Sequence, residues 1–185
     1  MKLNEIFKEI FVGIRLTFDE RKGEECLVVR SGDIDECRIN PKEAMIADID
    51  SIKDKYYMKK GDILIGTKKT DSSNHVGYCQ SNEGEKTIIL KNVIVLRDPI
   101  SSYNPEFVAE YLNMKGFNSF YDSNLLLSKD AIGEYEIPCI PLNKQEELLN
   151  VINPINERTR LYQKLINNDR KIKNYLLTEV MNNEE

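Results

Sequence analysis

Roughly the last quarter of the sequence has a continuous helical pattern, and this pattern limits the possible folds more than any other feature. From Asn143 onward apolar side chains recur every three or four residues, and Asn153-Pro154 is typical of a helix cap followed by a first turn. A helix from about Ile155 to Met181 would be ~40 Å long. Such a helix is too long for a small β-rich domain to cover, so we expect its apolar face to pack against another long helix. The alternative is a helix that folds back on its own domain.

The apolar stripe of this helix indicates how a partner helix would pack. Asn168 and Asp169 interrupt the stripe, so the strict heptad repeat of a long parallel coiled coil is not sustained. We therefore predict antiparallel packing or a pair of helices. The apolar members of the stripe are Ile155, Leu161, Tyr162, Leu165, Ile166, Ile172, Leu176, Leu177 and Val180.

The sequence before the helix predicts a domain rich in short strands. Apolar residues at helical spacing predict a short helix over residues 3–12, and Asn104-Pro105 predicts the start of another, with Asn104 as its cap. The predicted strands are Cys26–Val29, Asp62–Ile65, Val76–Cys79, Thr87–Leu96, Leu125–Leu127 and Tyr135–Ile140. The predicted fold class is α+β, with a mixed, β-rich domain over residues 1–142 and a helical region over residues 143–185.

The composition is that of a globular protein, with no sign of secretion or membrane insertion. Charged residues make up 31% of the 185 residues and hydrophobic residues 41%, and no apolar run approaches the ~20 residues that a membrane helix needs. No signal-peptide pattern is present, so we expect a cytoplasmic protein with reduced thiols. Cys26, Cys37, Cys79 and Cys139 form no C-x-x-C pair. A zinc site built from His75 and Cys79 is an alternative, but it lacks a second close pair of ligands.

The net charge of −5 weakly disfavours a nucleic-acid partner, but the charge is unevenly distributed. Lysines dominate residues 53–69, where only Asp54 and Asp62 oppose them. Arginines and lysines likewise dominate residues 155–175. A polyanion responds to local potential rather than to net charge, so either segment could contact a phosphate backbone. The alternative is that both segments are solvated, lysine-rich faces.

The familiar motifs of catalysis are absent from the sequence. It contains no G-x-G-x-x-G, G-x-x-x-x-G-K-[ST], G-x-S-x-G or H-E-x-x-H motif, and neither the signature of an adenine methyltransferase nor its glycine loop. A single histidine also restricts general-base and metal chemistry. The sequence therefore predicts a binding protein rather than an enzyme.

Five short motifs, taken in order, resemble the target-recognition domain of type I restriction–modification specificity subunits. They are Leu3–Ile6 (LNEI) with Gly13, Leu27–Ile34 (LVVRSGDI), Lys60–Ile65 (KGDILI), Asn104–Leu112 (NPEFVAEYL) and Ile137–Gln145 (IPCIPLNKQ). The last motif is similar to the I-P-x-x-P-L-x-x-Q exit into the spacer helix of that family. The long helix of this chain follows at the position of the spacer, so the resemblance covers nearly the whole chain.

The resemblance implies a role in DNA recognition, without catalysis in this chain. A typical specificity subunit has two recognition domains and two spacer helices that pack antiparallel, whereas this chain has one of each. It therefore resembles a half-subunit that forms a homodimer and reads a two-part target in double-stranded DNA. The implied partners are DNA methyltransferase subunits, which hold S-adenosylmethionine, with a restriction endonuclease subunit as a further partner. The alternative is a protein-interaction module, such as a regulator or decoy of a restriction system, whose long helix binds a partner.

The resemblance also points to particular residues, first of all the loop that follows Ile63–Ile65. Lys68 and Lys69 are expected to contact phosphates, and Asn74 could pair with the edge of an adenine. The other predicted DNA contacts are Thr70, Ser72, Ser73, His75, Arg30, Ser31, Asn118 and Tyr121. A solvated turn is the alternative for the two lysines, and a core position is the alternative for Tyr121. The predicted dimer contacts are Ile155, Tyr162, Leu165, Ile172 and Leu176.

Overall fold

The computed structural model describes residues 1–16, 23–35, 37–67, 76–81, 87–114, 117, 120 and 127–182. The chain forms two compact units, Met1–Gln145 and Glu146–Glu185. The strands in the described ranges are β1 (Phe7–Val12), β2 (Glu24–Val29), β3 (Ile34–Asp35), β4 (Arg38–Ile39), β5 (Glu43–Ala47), β6 (Ile63–Gly66), β7 (Val76–Tyr78), β8 (Thr87–Ile89) and β9 (Val93–Pro99). The helices described are α1 (Leu3–Ile6), α2 (Pro105–Leu112), α3 (Lys129–Gly133) and α4 (Leu142–Asn182).

The strands described in the first unit form three sheets. The largest is antiparallel, with the strand order β1-β9-β6-β7. In the second sheet, of order β5-β2-β8, strand β2 pairs antiparallel with β5 and parallel with β8, while β3 and β4 form a two-stranded sheet. These sheets, one of them mixed, together with the short helices and the long helix α4, confirm the predicted α+β class.

The main hydrophobic core lies between the largest sheet and the short helices. All four residues of β6 are buried. Ile63 and Ile65 share a buried cluster with Leu3 of α1 and with Val108 and Leu112 of α2. Full burial of each such aliphatic side chain contributes roughly 1.5–3 kcal/mol, so β6 is a stable base for whatever follows it.

The helix predicted over residues 3–12 is wrong beyond its first turn. α1 ends at Ile6, and β1 then pairs antiparallel with β9 along its whole length. Leu3, Ile6 and Phe7 are all buried. Their spacing suits one helical turn followed by a strand as well as it suits a longer helix, so the apolar pattern did not distinguish the two. A short helical segment has little stability of its own, so pairing with β9 decides the conformation.

The single strand predicted over Thr87–Leu96 is also wrong, because this segment forms two strands in different sheets. β8 pairs in parallel with β2, whereas β9 lies between β1 and β6. A turn at Lys91-Asn92 separates them, and the Asn92 carbonyl accepts hydrogen bonds from the backbone nitrogen and the hydroxyl of Thr67, at 2.9 and 3.1 Å. Both strands are apolar and buried, so composition alone did not reveal the break.

Other predictions from local signals are confirmed. β2, β6 and β7 lie where strands were predicted. α2 begins at the predicted cap, where Asn104 Oδ1 accepts hydrogen bonds from the backbone nitrogens of Glu106 and Phe107, at 2.9 and 3.4 Å.

The strand predicted over Tyr135–Ile140 is wrong. In this segment only Glu136 forms a β-bridge, antiparallel to Lys2. Pro138 has no amide hydrogen to donate to a neighbouring strand, which prevents a longer ladder. The strand predicted at 125–127 falls mostly outside the described residues.

Helix α4 runs without interruption from Leu142 to Asn182 and passes through Pro154. The predicted restart of the helix at Asn153-Pro154 is therefore wrong. Proline removes one backbone hydrogen bond at a cost of about 3 kcal/mol, but the many helical residues on both sides outweigh that loss. None of the helices in the described ranges is long and apolar enough to cross a membrane.

Candidate nucleic-acid interface

The predicted DNA-contacting loop is flanked by two paired strands. β6 and β7 pair antiparallel up to Ile65 and Val76. Thr67, which follows β6, accepts a hydrogen bond from the backbone nitrogen of Leu127 at 3.1 Å, and both of its own donors are bonded to the turn before β9. The residues on both sides of the segment 68–75 are thereby fixed to the buried sheet.

Most of the predicted DNA contacts lie outside the residues that the structure describes. They are Lys68, Lys69, Thr70, Ser72, Ser73, Asn74, His75, Asn118 and Tyr121. Their roles stay predictions. Of the predicted DNA contacts, the structure describes Arg30 and Ser31.

Arg30 and Ser31 follow strand β2 and differ in accessibility. The Arg30 guanidinium forms an ion pair with the Glu43 carboxylate at 2.6 Å, and its Nη2 donates to the sulfur of Met45 at 3.6 Å. The Arg30 side chain is 38% exposed, so a phosphate could bind it in competition with Glu43. Ser31 is buried, at 8% exposure. Of the two, Arg30 is the more accessible, and its contact with DNA stays a prediction.

A buried ion pair lies at the start of the strand that leads to the loop. Arg97 Nε and Nη2 donate to the two carboxylate oxygens of Asp62, each at 2.7 Å, and the backbone nitrogen of Lys59 donates to the same carboxylate at 2.8 Å. Asp62 is fully buried and Arg97 nearly so. Burial raises the pKa of the Asp62 carboxyl, and the hydrogen bonds from Arg97 and Lys59 act against that rise. The two-point geometry fixes both side chains.

Arg97 also fixes the backbone of the lysine-rich segment. Its Nη1 donates to the carbonyl of Lys55 at 3.0 Å, and its Nη2 donates to the carbonyl of Tyr57 at 2.9 Å. The guanidinium carbon lies 5.2 Å from the centre of the Phe11 ring. One buried arginine of β9 thus connects Phe11 of β1 and Asp62, the residue before β6, to the segment 53–60.

Two of the lysines in this segment have partners. Lys59 Nζ forms an ion pair with Asp54, and this hydrogen bond, together with the lysine charge, lowers the pKa of the Asp54 carboxyl. The Lys55 ammonium lies 5.0 Å from the centre of the Tyr56 ring, within the range of a cation–π interaction. Both contacts are at the surface and contribute little to stability.

Lys53 and Lys60 are exposed and have no ion-pair partner among the described residues. Asp62 does not neutralise them, because its carboxylate is buried against Arg97. The exposed surface of the segment is therefore more positive than a count of charges in the sequence suggests. This surface immediately precedes β6 and suits a phosphate backbone.

The alternative prediction is a zinc site built from His75 and Cys79, and of these two the structure describes Cys79. Cys79 is buried, and its thiol donates to the Ser81 carbonyl at 3.2 Å. Burial raises the pKa of Cys79 to about 11, which disfavours the thiolate that zinc requires. His75 lies outside the described residues. Within the described ranges, no three His, Cys, Asp or Glu residues are grouped closely enough to hold a metal ion.

Comparison with solved structures identifies the fold. No family model and no curated protein matches the chain. The crystal structure of the HsdS subunit from Thermoanaerobacter tengcongensis superposes with a TM-score of 0.63 and 15% sequence identity, covering 89% of this chain and 43% of that one. The fold is that of a type I HsdS specificity subunit. A chain from a structure on complex assembly and conformational transition of the type I R-M (restriction–modification) system gives a TM-score of 0.60 and 15% identity, covering 88% of this chain and 39% of that one.

The HsdS fold confirms the resemblance predicted from the five sequence motifs at the level of architecture. The chain spans less than half the length of either solved structure. Sequence reasoning missed the role of Arg97, although a lone arginine directly after the apolar run Val93–Leu96 was a signal that it had a buried partner.

The HsdS-like chain has an exposed row of apolar side chains on α4, here called the α4 face. Its members are 47–60% exposed: Ile155, Tyr162, Leu165, Ile172 and Leu176. They are the predicted dimer contacts, and they extend over roughly six turns of helix. A row of exposed apolar side chains of this length is typical of a surface that binds another protein.

Proposed function

We propose that the chain is a non-catalytic, sequence-specific DNA-recognition subunit of a type I restriction–modification or related DNA methyltransferase complex. The observation that supports this most strongly is the HsdS fold over 89% of the chain. Residues 1–142 would form the DNA target-recognition domain, and residues 143–185 the spacer and dimerisation region.

The recognition domain would contact DNA from a rigid base. The segment 68–75 follows a fully buried strand whose start is fixed by Asp62 and Arg97. Exposed lysines precede that strand, and they would supply the sequence-independent attraction to phosphates. Polar side chains of the segment, Asn74 above all, would then read base edges.

The chain would act as a half-subunit. In the part of the chain that the structure describes, the long helix α4 has an exposed apolar face that a second copy could cover. Two copies paired through α4 would restore two recognition domains on one assembly, and a twofold dimer suits a two-part target. A dimer of this kind also covers apolar surface that would otherwise face water.

The partners in this proposal are double-stranded DNA and a DNA methyltransferase subunit, with a restriction endonuclease subunit as a further partner in the cytoplasm. S-adenosylmethionine would bind to the methyltransferase subunit. The chain itself would supply recognition only, so a methyl-transfer assay on the isolated chain should give no product.

Selection from a library of random-sequence DNA duplexes tests the proposal. The chain should be assayed alone and together with a type I DNA methyltransferase subunit, and the DNA in the complexes shifted on a gel should be sequenced after several rounds. We expect enrichment of one two-part sequence motif. If neither preparation retains DNA at low salt, recognition is refuted, and a protein-interaction module that uses α4 becomes the better description.

A further inference from the structure

The α4 face contains two charged residues at regular positions. From Ile155 to Leu176 the face advances by three and four residues alternately, and its five apolar members fill all but two of these positions. Arg158 and Asp169 fill the other two. Both are exposed, and neither has an ion-pair partner among the described residues. A charge within an interface is costly unless a partner neutralises it, so these positions restrict what can bind.

Six of the seven positions of the α4 face are symmetric about one point on the helix, and the seventh, Leu176, has Val151 as its counterpart. The point halfway between Arg158 and Asp169 falls between Gln163 and Lys164. The same point is halfway between Ile155 and Ile172 and between Tyr162 and Leu165. A twofold axis through it, perpendicular to the helix, would place each residue opposite its counterpart in a second, antiparallel copy.

We infer that two copies of α4 pair antiparallel about this axis, with Arg158 of each copy bound to Asp169 of the other. The inference rests on the homodimeric half-subunit proposed above and names its contacts. The two ion pairs would be ~17 Å apart along the helix and would flank the central apolar layers. Each would neutralise a charge that the apolar face otherwise leaves unpaired.

Other arrangements of two copies leave the charges opposed or unpaired. A parallel dimer in register places Arg158 against Arg158 and Asp169 against Asp169. Sliding the antiparallel pair by one heptad places Arg158 opposite Tyr162 in one direction and opposite Leu176 in the other, and Asp169 also faces an apolar residue. Charged residues at interface positions specify register in this way, by making the wrong registers unfavourable.

Charge reversal tests the pairing. Arg158→Asp or Asp169→Arg alone places like charges together at both ion-pair positions, so each should weaken dimer association by roughly a hundredfold in sedimentation equilibrium. A mixture of the two single variants pairs opposite charges at both positions and should form a heterodimer within about tenfold of the wild-type affinity. The double variant Arg158→Asp/Asp169→Arg pairs opposite charges in its own homodimer, so its dimer affinity should also be within about tenfold of wild type. Arg170→Asp makes the same charge change off the α4 face, and it should leave association unchanged.

The outcomes distinguish this inference from the proposed function. A wild-type chain that stays monomeric well above micromolar concentrations overturns the homodimer and the pairing with it. A wild-type dimer that tolerates both single reversals, or whose affinity is not recovered in the mixture, overturns the Arg158–Asp169 pairing alone. DNA retention by the recognition domain is a separate measurement that neither result changes.

Spin-label distances provide a second test, which does not depend on altering the charges. Labels at Asn167→Cys or Asn174→Cys, in a Cys139→Ser background, lie on the same outer side of α4. In the proposed dimer each copy has one label. The labels of the two copies would be ~10 Å apart along the helix axis at position 167 and ~32 Å apart at position 174. The measured distance should therefore be longer for the second site. Equal distances at both sites, as in a parallel dimer, would overturn the inference.

Discussion

The side-chain oxygen of Gln145 accepts a hydrogen bond from the backbone nitrogen of Asn104 at 2.8 Å. Its Nε2 donates to the carbonyls of Ser102 and Ile140, at 2.9 and 2.7 Å, and the whole residue is buried. Asn104 is the cap of α2, so a single amide joins the start of α2 to the first turn of α4. The final glutamine of the I-P-x-x-P-L-x-x-Q motif therefore has a structural role.

Replacing Gln145 with Leu should destabilise the first unit by about 2–4 kcal/mol. The variant leaves one buried donor and two buried carbonyls without their partner, which costs more than the lost hydrogen bonds alone. Urea unfolding followed by circular dichroism measures the change. Gln163→Leu, at an exposed position of α4, is the matched control and should stay within about 0.5 kcal/mol of wild type. An equal midpoint for the two variants would contradict this role for Gln145.

Replacing Arg97 alone should lower the free energy of unfolding more than replacing Arg97 and Asp62 together. Arg97→Met leaves the Asp62 carboxylate buried without its partner, so we expect a loss of about 3–5 kcal/mol. The double variant Asp62→Asn/Arg97→Met also removes the unpaired buried carboxylate, so it should recover part of that loss of stability. A double-mutant cycle in urea measures the coupling between the two residues. Additive losses would show that the pair does not act as a unit.

The deficit of Arg97→Met should depend on pH. Without the arginine hydrogen bonds, the folded pKa of Asp62 rises further above its unfolded value of about 3.9. An acid whose pKa is raised by folding contributes stability below the unfolded pKa and loses it as pH rises through the folded pKa. The difference from wild type should therefore be smaller at about pH 4 than at about pH 7. A deficit that stays constant over that range would mean that Asp62 is not the source of the cost.

The features predicted from sequence were those with a local signal. The apolar run after Gly61-Asp62 indicated β6, and Asn104-Pro105 indicated α2, because each signal lies within the element that it specifies. The ion pair of Asp62 with Arg97 joins residues 35 positions apart and has no local pattern. The assignment of β1 failed for a related reason, since its apolar spacing fits a helix and only pairing with β9 decides otherwise.

Thiol reactivity should distinguish Cys139 from the other three cysteines. Cys139 is exposed, whereas burial raises the pKa values of Cys26 and Cys37 and raises the pKa of Cys79 to about 11. A higher pKa means less thiolate, so at pH 8 Cys79 would be about one-thousandth ionised. Titration with Ellman's reagent should give one fast thiol in the folded protein and four after unfolding. The Cys139→Ser variant should lose the fast phase, and a fast phase that persists would contradict this assignment.

Replacing Lys68 and Lys69 with Ala should weaken binding to all DNA sequences alike. If each lysine neutralises one phosphate, the slope of log K against log salt should fall by roughly two, at about 0.9 for each contact. Fluorescence anisotropy with a labelled duplex over a range of salt concentrations measures both affinity and slope. Lys8→Ala with Lys129→Ala removes the same charge elsewhere on the first unit and should have less effect. Unchanged affinity at low salt would refute the assignment of both lysines.

A charge in the centre of the α4 face should prevent dimerisation. Leu165 is 57% exposed on the single chain and lies next to the proposed twofold axis, so Leu165→Asp would bury two carboxylates, one from each copy, against apolar side chains. Ile172→Asp should act in the same way further from the axis. Light scattering should report monomers for both variants, while Asn167→Asp, which adds the same charge off the α4 face, should remain dimeric. The first unit is unchanged in these variants, so the monomers should still bind a duplex with a single half-site. They should bind a two-part target more weakly than the wild-type dimer does, because only one recognition domain contacts it. If Leu165→Asp still gives a dimer, another surface mediates the pairing.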